Sequence, residues 1–324
     1  MKVLKFGGGC LKDAESIKKL PKVLEEYRNS PIIIILSAFG KITNMLENSD
    51  FKSAMNFLFN IMDGLDFTEE EKNDILKTPL SPTFLGNNFK LWSLNDFIYF
   101  SINQSKKTSS IKNYFNYPMR VCIGEYISSS IIHYYLLKSS LNNILLDAAL
   151  CIRTSSWNDE IKSTLLHSAH FPQKINPYYK GMFSLRKWHN DCVYSKNSIV
   201  ITQGFISSSL NIDSCQNLNQ ILTTNQRTTL GREGSDYSAA IFSRLYNADK
   251  IILFKDVDGV YNLDPKKNTN ARLFPKLNYD QAFDLFSKGN TVVHPKTINY
   301  IKKYNIPILV RNFNHLDRPG TIIN

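Results

Sequence analysis

The sequence contains no long hydrophobic run. Its longest aliphatic stretch, Ile32–Leu36, is far shorter than the roughly 20 residues that a membrane-spanning helix needs. The chain passes from Met1 through a short apolar segment into three glycines, without the extended apolar core of a signal peptide. We therefore expect no membrane partner and a cytoplasmic protein.

Cysteine is also scarce, and none of the five cysteines among the 324 residues belongs to a C-x-x-C pair. An odd number of widely spaced cysteines argues against a disulfide framework and against a structural zinc site. His167 and His170 lie three positions apart, but no cysteine or carboxylate joins them at a suitable spacing. The sequence therefore predicts a reducing compartment and no metal site built from protein ligands.

Acidic residues are the scarcer charged class, with 28 Asp and Glu against 39 Lys and Arg and a net charge of +11. A basic chain raises the question of a nucleic-acid partner, because lysine and arginine neutralise phosphates. The basic residues are scattered, however, and the chain is rich in Lys, Asn and Ile together, a bias that A/T-rich codons produce. We therefore expect no nucleic-acid partner.

Segments of strand character alternate with segments of helical periodicity. Lys2–Phe6 is a short apolar strand, apolar residues recur at helical spacing over 17–27, and Ile32–Leu36 has the composition of a buried strand. Strand, helix and strand in this order form a βαβ unit, which belongs to a parallel sheet. Further strands are predicted at 143–146, 198–203, 251–254 and 307–310, of which the second and third are expected to be buried, and helices at 118–139, 279–287 and 295–304. The sequence therefore predicts an α/β fold with a mainly parallel sheet.

Four stretches of small residues lie at predicted strand ends, at 7–9, 37–40, 204–205 and 231–236. Such loops expose backbone N–H groups that can hold phosphate. Neither the P-loop pattern nor the dinucleotide-binding glycine pattern is present. Lys5 precedes the first loop and suits a transferring phosphoryl group, although a solvated lysine at a strand edge explains the position equally well.

Two further positions are ambiguous from residue type alone. Ser235 and Asp236 are favoured N-cap residues and stand where the next helix is expected to begin, at a helix end that also attracts anions. Glu125 lies inside the predicted helix 118–139, where a glutamate is usually solvated. Residue type therefore does not assign these side chains to a site.

Seven motifs occur in order along the chain: K-F-G-G at 5–8, S-A-x-x-x-x-T-N at 37–44, G-E at 124–125, T-Q-G-F at 202–205, T-T-L-G-R-x-G-S-D-Y-S-A at 228–239, D-V-D-G-V-Y-x-x-D-P at 256–265, and H-P-x-T at 294–297. Together they resemble the catalytic domain of the aspartate kinases, in the amino-acid kinase superfamily. The resemblance implies a three-layer αβα sandwich in one domain over 1–324. An amino-acid-binding lobe would cover about 1–219 and a nucleotide-binding lobe about 220–324. No regulatory domain is expected, and hence no feedback inhibition by lysine or threonine.

The activity implied by this resemblance is transfer of the γ-phosphoryl group of ATP to the side-chain carboxylate of L-aspartate, giving 4-phospho-L-aspartate. Mg²⁺ would be held chiefly by the phosphates. This is the first step of lysine, threonine and methionine biosynthesis. Two alternatives stay open: another amino-acid kinase acting on glutamate or acetylglutamate, and a decayed, non-catalytic homologue that acts as a binding protein. The oligomeric state is also open, with a homodimer as the candidate assembly.

The resemblance also implies roles for individual residues at the nucleotide. Lys5 would contact the phosphates and stabilise the transferring group, and is predicted to be catalytic. Gly7 and Gly8 would let the backbone approach the phosphates. The remaining residues expected against the nucleotide are Asp256, Tyr261 and Lys266.

At the amino acid, Arg232 would grip the α-carboxylate of aspartate, because its planar fork suits a carboxylate. Asp236, the second residue predicted to be catalytic, would face the ammonium group together with Glu125. The residues expected to shape the pocket are Thr43, Phe205 and Ser235.

Several positions depart from the family pattern. Gly9 and Cys10 replace the usual Thr-Ser, and Glu233 replaces a glycine where backbone is expected to pass close to ligand. Thr291 stands where a lysine is usual, and Lys266 where an arginine is usual. We expect these changes to affect rate and nucleotide affinity.

Overall fold

The computed structural model describes residues 1–78, 117–154, 198–208, 227–231, 233–265 and 267–324. The predicted lobe boundary near residue 219 and the pair His167 and His170 lie outside these residues. The described strands are β1 (Lys2–Phe6), β2 (Ile32–Leu36), β3 (Ile144–Leu146), β4 (Ile199–Gln203), β5 (Ile206–Ser208), β6 (Arg227–Thr229), β7 (Lys250–Lys255), β8 (Val260–Tyr261), β9 (Leu273–Phe274), β10 (Lys276–Leu277), β11 (Ile308–Asn312) and β12 (Thr321–Ile323).

The described helices connect and cover these strands, and a short 3₁₀ turn at Ala148–Leu150 follows β3. The helices are α1 (Ala14–Lys18), α2 (Leu20–Glu25), α3 (Ile42–Glu47), α4 (Phe51–Gly64), α5 (Glu69–Lys77), α6 (Tyr117–Lys138), α7 (Gly234–Leu245), α8 (Tyr279–Ser287) and α9 (Pro295–Lys302).

The main sheet has eight strands in the order β10–β12–β11–β7–β1–β2–β4–β3. Every neighbouring pair is parallel except β11 and β12. All five residues of β2 are buried, and successive side chains of a strand point to opposite faces, so both faces of the sheet are covered. The predicted α/β fold with a mainly parallel central sheet is confirmed.

Local sequence explains one departure from the predicted elements. The helical spacing over 17–27 belongs to two helices, α1 and α2, that are divided at Lys19. Pro21 lies in the first turn of α2, where the missing N–H of proline has no helical acceptor to lose. Asp13 and Ser16 form a capping box that starts α1.

Two helices carry site residues and pack against the sheet. Helix α6 lies against β2, β3 and β4, and α7 lies against β1, β2 and β7. Ten consecutive residues from the start of α7 are buried, which fixes the position of its first turn. Within the described part of the chain, no helix is both long enough and apolar enough to cross a bilayer.

The parallel order brings the carboxyl ends of β1, β2, β4 and β7 to one edge of the sheet, where open α/β sheets bind ligands. The loops at this edge touch through their backbones. The N–H of Gly40 donates to the carbonyl of Gly8 at 3.2 Å, and the N–H of Gly204 donates to the carbonyl of Leu36 at 2.7 Å. The small-residue loops predicted from the sequence are thus packed against one another.

Candidate active site

A cavity of about 1490 Å³ opens at this edge of the sheet. Most of the predicted site residues line it: Lys5, Gly7, Gly8, Thr43, Glu125, Phe205, Ser235, Asp256 and Tyr261. Asp236 does not line the cavity and is fully buried in the first turn of α7. Arg232 and Lys266 lie outside the described residues. The structure thus brings together residues from widely separated parts of the chain.

The carboxylate of Asp236 lies between two lysines. Its Oδ1 forms an ion pair with Lys5 Nζ at 2.7 Å, and its Oδ2 accepts a hydrogen bond from Lys255 Nζ, also at 2.7 Å. Lys5 is on β1 and Lys255 ends β7, the adjacent parallel strand. We call these three side chains the Lys–Asp–Lys cluster.

This cluster overturns two expectations. Lys5 is only 4% exposed, so it is not a solvated lysine at a strand edge. Ser235 and Asp236 do not cap α7, because the helix begins at Gly234 and its N-cap is Glu233, which makes no side-chain capping bond. Asp236 is the third residue of α7, and its carboxylate is held by the two lysines.

The charges of the cluster depend on one another. Burial opposes ionisation of Asp236, but the charges of Lys255 and Lys5 outweigh it and lower the pKa of the carboxyl to about 2. Burial lowers the pKa of Lys5 against the attraction of Asp236. Burial works against charge on Lys255 as well, yet Asp236 raises its pKa overall. With both ammonium groups protonated, the cluster carries one net positive charge beside the cavity.

Sequence reasoning did not single out Lys255. It directly precedes the D-V-D-G-V-Y motif and follows the buried segment 250–254, so it is a cation at the carboxyl end of a central strand. That position is the same signal that drew attention to Lys5. A comparison of the ends of β1 and β7 would have found it.

Its place on a helix suggested that Glu125 is solvated, but the residue is buried on α6. Burial raises the pKa of its carboxyl group to about 8, although the backbone N–H groups of Glu125 and Ala38 act in the opposite direction. Its Oε2 has no hydrogen-bond partner among the described residues. A buried carboxyl oxygen without a partner is unfavourable, and a ligand with a hydrogen-bond donor or a positive charge would remove that cost.

Close packing of the loops requires glycine at these positions, in addition to any requirement for access to ligand. A Cβ on Gly8 would lie 2.6 Å from the carbonyl oxygen of Ala38, and one on Gly204 would lie 2.5 Å from the Cβ of Ser235. A Cβ on Gly7 would lie 3.4 Å from Lys5 Nζ, so the ammonium group sits directly beside this loop. Phe205, at φ 68°, donates its backbone N–H to Ser238 Oγ at 2.9 Å.

On the other side of the cavity, Asp258 organises the turn that carries Asp256 and Tyr261. Asp258 accepts hydrogen bonds from Asn312 at 2.6 Å and from the Tyr261 hydroxyl at 3.3 Å, and it forms an ion pair with Arg318. The carboxylate of Asp258 is therefore engaged in holding the turn. Asp256 and Tyr261 line the cavity from this turn.

Comparison with known proteins places the chain in a family. Residues 1–312 match the amino acid kinase family. The chain belongs to this family. It is 29% identical over 99% of its length to a chloroplastic bifunctional aspartokinase/homoserine dehydrogenase 1 of Arabidopsis thaliana, covering 32% of that protein. It is also 29% identical, over its full length, to the bifunctional aspartokinase/homoserine dehydrogenase of Buchnera aphidicola, covering 36% of it.

Among solved structures, the fold is similar to E. coli aspartokinase III in complex with aspartate and ADP. The TM-score is 0.72 at 21% identity, over 100% of this chain and 64% of the other. This likeness confirms the amino-acid kinase fold. The chain spans about a third of the length of these two bifunctional relatives.

This amino acid kinase departs from its family pattern in ways that the structure explains in part. Cys10 is buried, and its thiol donates to the carbonyl of Phe254 at 3.3 Å. Burial raises the pKa of this thiol to about 11, so it is neutral near pH 7. Glu233 is exposed at the rim of the cavity and Thr291 lines it. Among the described residues, no three His, Cys, Asp or Glu side chains are grouped to hold a metal ion.

Proposed function

We propose that this amino acid kinase is an aspartate kinase, which transfers the γ-phosphoryl group of ATP to the side-chain carboxylate of L-aspartate. One observation carries the proposal: the same cavity is lined by the two lysines of the Lys–Asp–Lys cluster and by the buried carboxyl group of Glu125, whose Oε2 has no hydrogen-bond partner among the described residues. Phosphates and carboxylates suit the first, and an ammonium group suits the second. The aspartokinase names of the relatives support the same substrate.

The chemistry requires positioning more than acid–base catalysis. The acceptor carboxylate has an ordinary pKa of about 4 and is already ionised at neutral pH. Its attack on ATP brings two anions together, so the site must reduce their repulsion and align them. Lys5, beside the Gly7–Gly8 backbone, would contact the transferring phosphoryl group. Asp236 would hold Lys5 in place and act as a positioning residue.

At the amino acid, Glu125 would bind the ammonium group and lose its proton as the positive charge arrives. Thr43 and Phe205 would bound the pocket together with Ser235, and Arg232 is proposed to bind the α-carboxylate. Asp236 was expected to contact the ammonium as well. Because both of its oxygens face lysines, we assign the ammonium to Glu125 alone.

At the nucleotide, Asp256, Tyr261 and Lys266 are proposed to contact ATP. Mg²⁺ would be held chiefly by phosphate oxygens, and Asp256 is a carboxylate that lines the same cavity. Mg²⁺ supplies neutralisation of phosphate charge. Cytoplasmic location and a homodimer remain predictions from the sequence.

A hydroxamate assay with ATP and Mg²⁺ tests the proposal, because hydroxylamine traps the acyl phosphate product. L-aspartate, L-glutamate and N-acetyl-L-glutamate are compared. We expect product with aspartate alone, and its loss in Lys5→Met but not in Lys250→Met, which alters a lysine at the opposite end of β7. Preference for either glutamate substrate would identify a different amino-acid kinase. No ATP consumption with any substrate would identify a non-catalytic homologue.

A further inference from the structure

We infer that Lys255 is a second phosphate-contacting residue, whose ammonium group binds the γ-phosphate of ATP beside that of Lys5. The inference rests on the proposed function in so far as that function makes ATP the phosphoryl donor. It assigns a direct ligand contact to a residue that neither the sequence motifs nor the family pattern singles out.

The sheet places the two lysines side by side. Lys5 on β1 is in register with Leu253 on β7. Because side chains alternate between the two faces of a strand, Leu253 and Lys255 point to the same face, and this is also the face of Lys5. Helix α7 packs against β1 and β7, which brings Asp236 between the two ammonium groups.

Exposure within the cluster rises from the carboxylate to Lys255. The side chain of Asp236 is 0% exposed, that of Lys5 is 5% exposed and that of Lys255 is 15% exposed. Both lysines line the cavity and Asp236 does not. The carboxylate therefore lies beneath the two ammonium groups, and Lys255 is the member of the cluster most accessible from the cavity.

Lys255 keeps donors available for a ligand. An ammonium group has three N–H donors. One is used in the hydrogen bond to Asp236, and the described residues provide no further partner for the Lys255 side chain. An anion in the cavity would accept from the remaining donors and would neutralise the net positive charge of the cluster.

The other lysines at the cavity are placed differently. The side chain of Lys267 is 84% exposed and lies 3.8 Å from Asp264, and Lys288 is exposed at the rim. Exposed charges are screened by water and salt, whereas a partly buried cation interacts more strongly with an anion. Position 291, where the family pattern has a lysine, is a threonine on the wall of the same cavity. Lys255 therefore supplies a partly buried cation to a cavity that has a threonine, and not a lysine, at position 291.

Calorimetric titration with nucleotide in the presence of Mg²⁺ tests this contact. The probes are the non-hydrolysable ATP analogue AMP-PNP, which has a γ-phosphate, and ADP, which does not. In Lys255→Met we expect the affinity for AMP-PNP to fall by about 10- to 100-fold, as for loss of a charged hydrogen bond, while the affinity for ADP changes less than about threefold. The control variant Lys250→Met should bind both nucleotides as the wild type does.

Turnover provides a second readout. Removing one preorganised donor from a transition state lowers kcat by about 10²- to 10³-fold, and we expect that loss in Lys255→Met with little change in KM for aspartate. Lys255→Gln keeps a hydrogen-bond donor for Asp236 but removes the charge and shortens the side chain by one atom. It should show the same selective loss of AMP-PNP affinity, and it replaces the methionine variant if that variant does not fold.

Equal losses of AMP-PNP and ADP affinity, or no loss of either, would overturn the inference and leave Lys255 as a structural partner of Asp236. The titration needs no acceptor, so it decides the role of Lys255 even if aspartate is not the substrate. Absence of aspartate-dependent turnover in the wild type, with selective loss of AMP-PNP binding in the variant, would refute the proposed acceptor and leave the lysine contact standing.

Discussion

Lys5 Nζ and Asp236 Oδ1 lie 2.7 Å apart beneath the cavity, although one residue is on the first strand and the other is on helix α7. The contact joins the sheet to the helix that carries the T-T-L-G-R-x-G-S-D-Y motif. Because Asp236 also holds Lys255, a single carboxylate fixes the positions of one buried and one partly buried cation. Its removal should therefore affect folding and catalysis together.

We predict that Asp236→Asn lowers the free energy of unfolding by roughly 3–5 kcal/mol, because it leaves buried ammonium groups without their counter-charge. Urea-induced unfolding at pH 7 measures the loss. Asp249→Asn is the matched control, since this carboxylate is 74% exposed in its ion pair with the N-terminal amine. The control should lose no more than about 1 kcal/mol. Equal effects of the two substitutions would contradict a special role for the buried cluster.

The same carboxylate makes stability depend on pH in the acid range. Its pKa is about 2 in the folded protein against an ordinary value of 3.8, so the ionised form is favoured by folding. The resulting stabilisation, about 2 kcal/mol, is complete above about pH 5 and is lost as the pH falls through about 2. Unfolding measured between pH 5 and pH 2.5 should show this loss in the wild type and a smaller one in Asp236→Asn. Parallel curves for the two proteins would rule it out.

We predict that Glu125 lowers the stability of the unliganded protein, because its buried carboxyl group lacks the ligand that it binds. Its pKa of about 8 in the folded protein exceeds the ordinary value of 4.5, so unfolding becomes easier as the pH rises from 4.5 to 8. Glu125→Gln does not titrate and should be more stable than the wild type at pH 9 by a few kcal/mol, with no advantage at pH 4. Thermal unfolding at both pH values checks the sign.

The same variant should bind aspartate at least about tenfold more weakly, because a neutral amide cannot compensate an ammonium charge. In the wild type, affinity for aspartate should increase as the pH rises towards 8, since less work is needed to ionise Glu125. Titration calorimetry at pH 6.5 and 8 in two buffers also reports the proton released on binding. Unchanged affinity in Glu125→Gln would move the ammonium site elsewhere in the cavity.

Some features of this protein are determined by neighbouring residues in the sequence, and others only by the packing of distant segments. Strands β1 and β2 were predictable because a run of apolar residues between glycines or proline specifies a buried strand without help from distant residues. The burial of Glu125 was not, because only the packing of α6 against the sheet removes it from water. The position of Lys255 at the end of a buried strand was a local signal, but its ion pair with Asp236 was not predictable, because helix packing and not proximity in sequence brings the two together.

Gly8 and Gly9 offer a test of how the first loop is packed. A Cβ on Gly8 would meet backbone oxygens at 2.6 and 3.1 Å, whereas one on Gly9 would meet no atom of the described residues within 4 Å. We predict that Gly8→Ala loses roughly 1–3 kcal/mol of stability because the loops after β1 and β2 must separate. Gly9→Ala should not be destabilised. Denaturant unfolding of the pair makes the comparison, and equal stabilities would mean that the loops separate at no cost.

Glu233 is the last departure with a testable consequence. It adopts φ 58° at the N-cap of α7, a left-handed conformation that costs a residue with a Cβ about 1–2 kcal/mol. Glycine avoids this cost but has a more flexible unfolded chain, so Glu233→Gly should gain about 1 kcal/mol at most. Glu233→Ala keeps the Cβ and should gain nothing. Equal stabilities of the two variants would show that the conformation carries no strain.

The two variants also separate strain from charge. Glu233 lies on the cavity rim, and its carboxylate is among the charges that raise the pKa of Lys255. Both substitutions remove a negative charge from the path of ATP, so both should lower KM for ATP, by about two- to fivefold at low salt for a screened surface charge. The gain should shrink at 0.5 M salt. A lower KM in the glycine variant alone would instead trace the effect to the backbone of the loop, since only glycine releases its left-handed conformation.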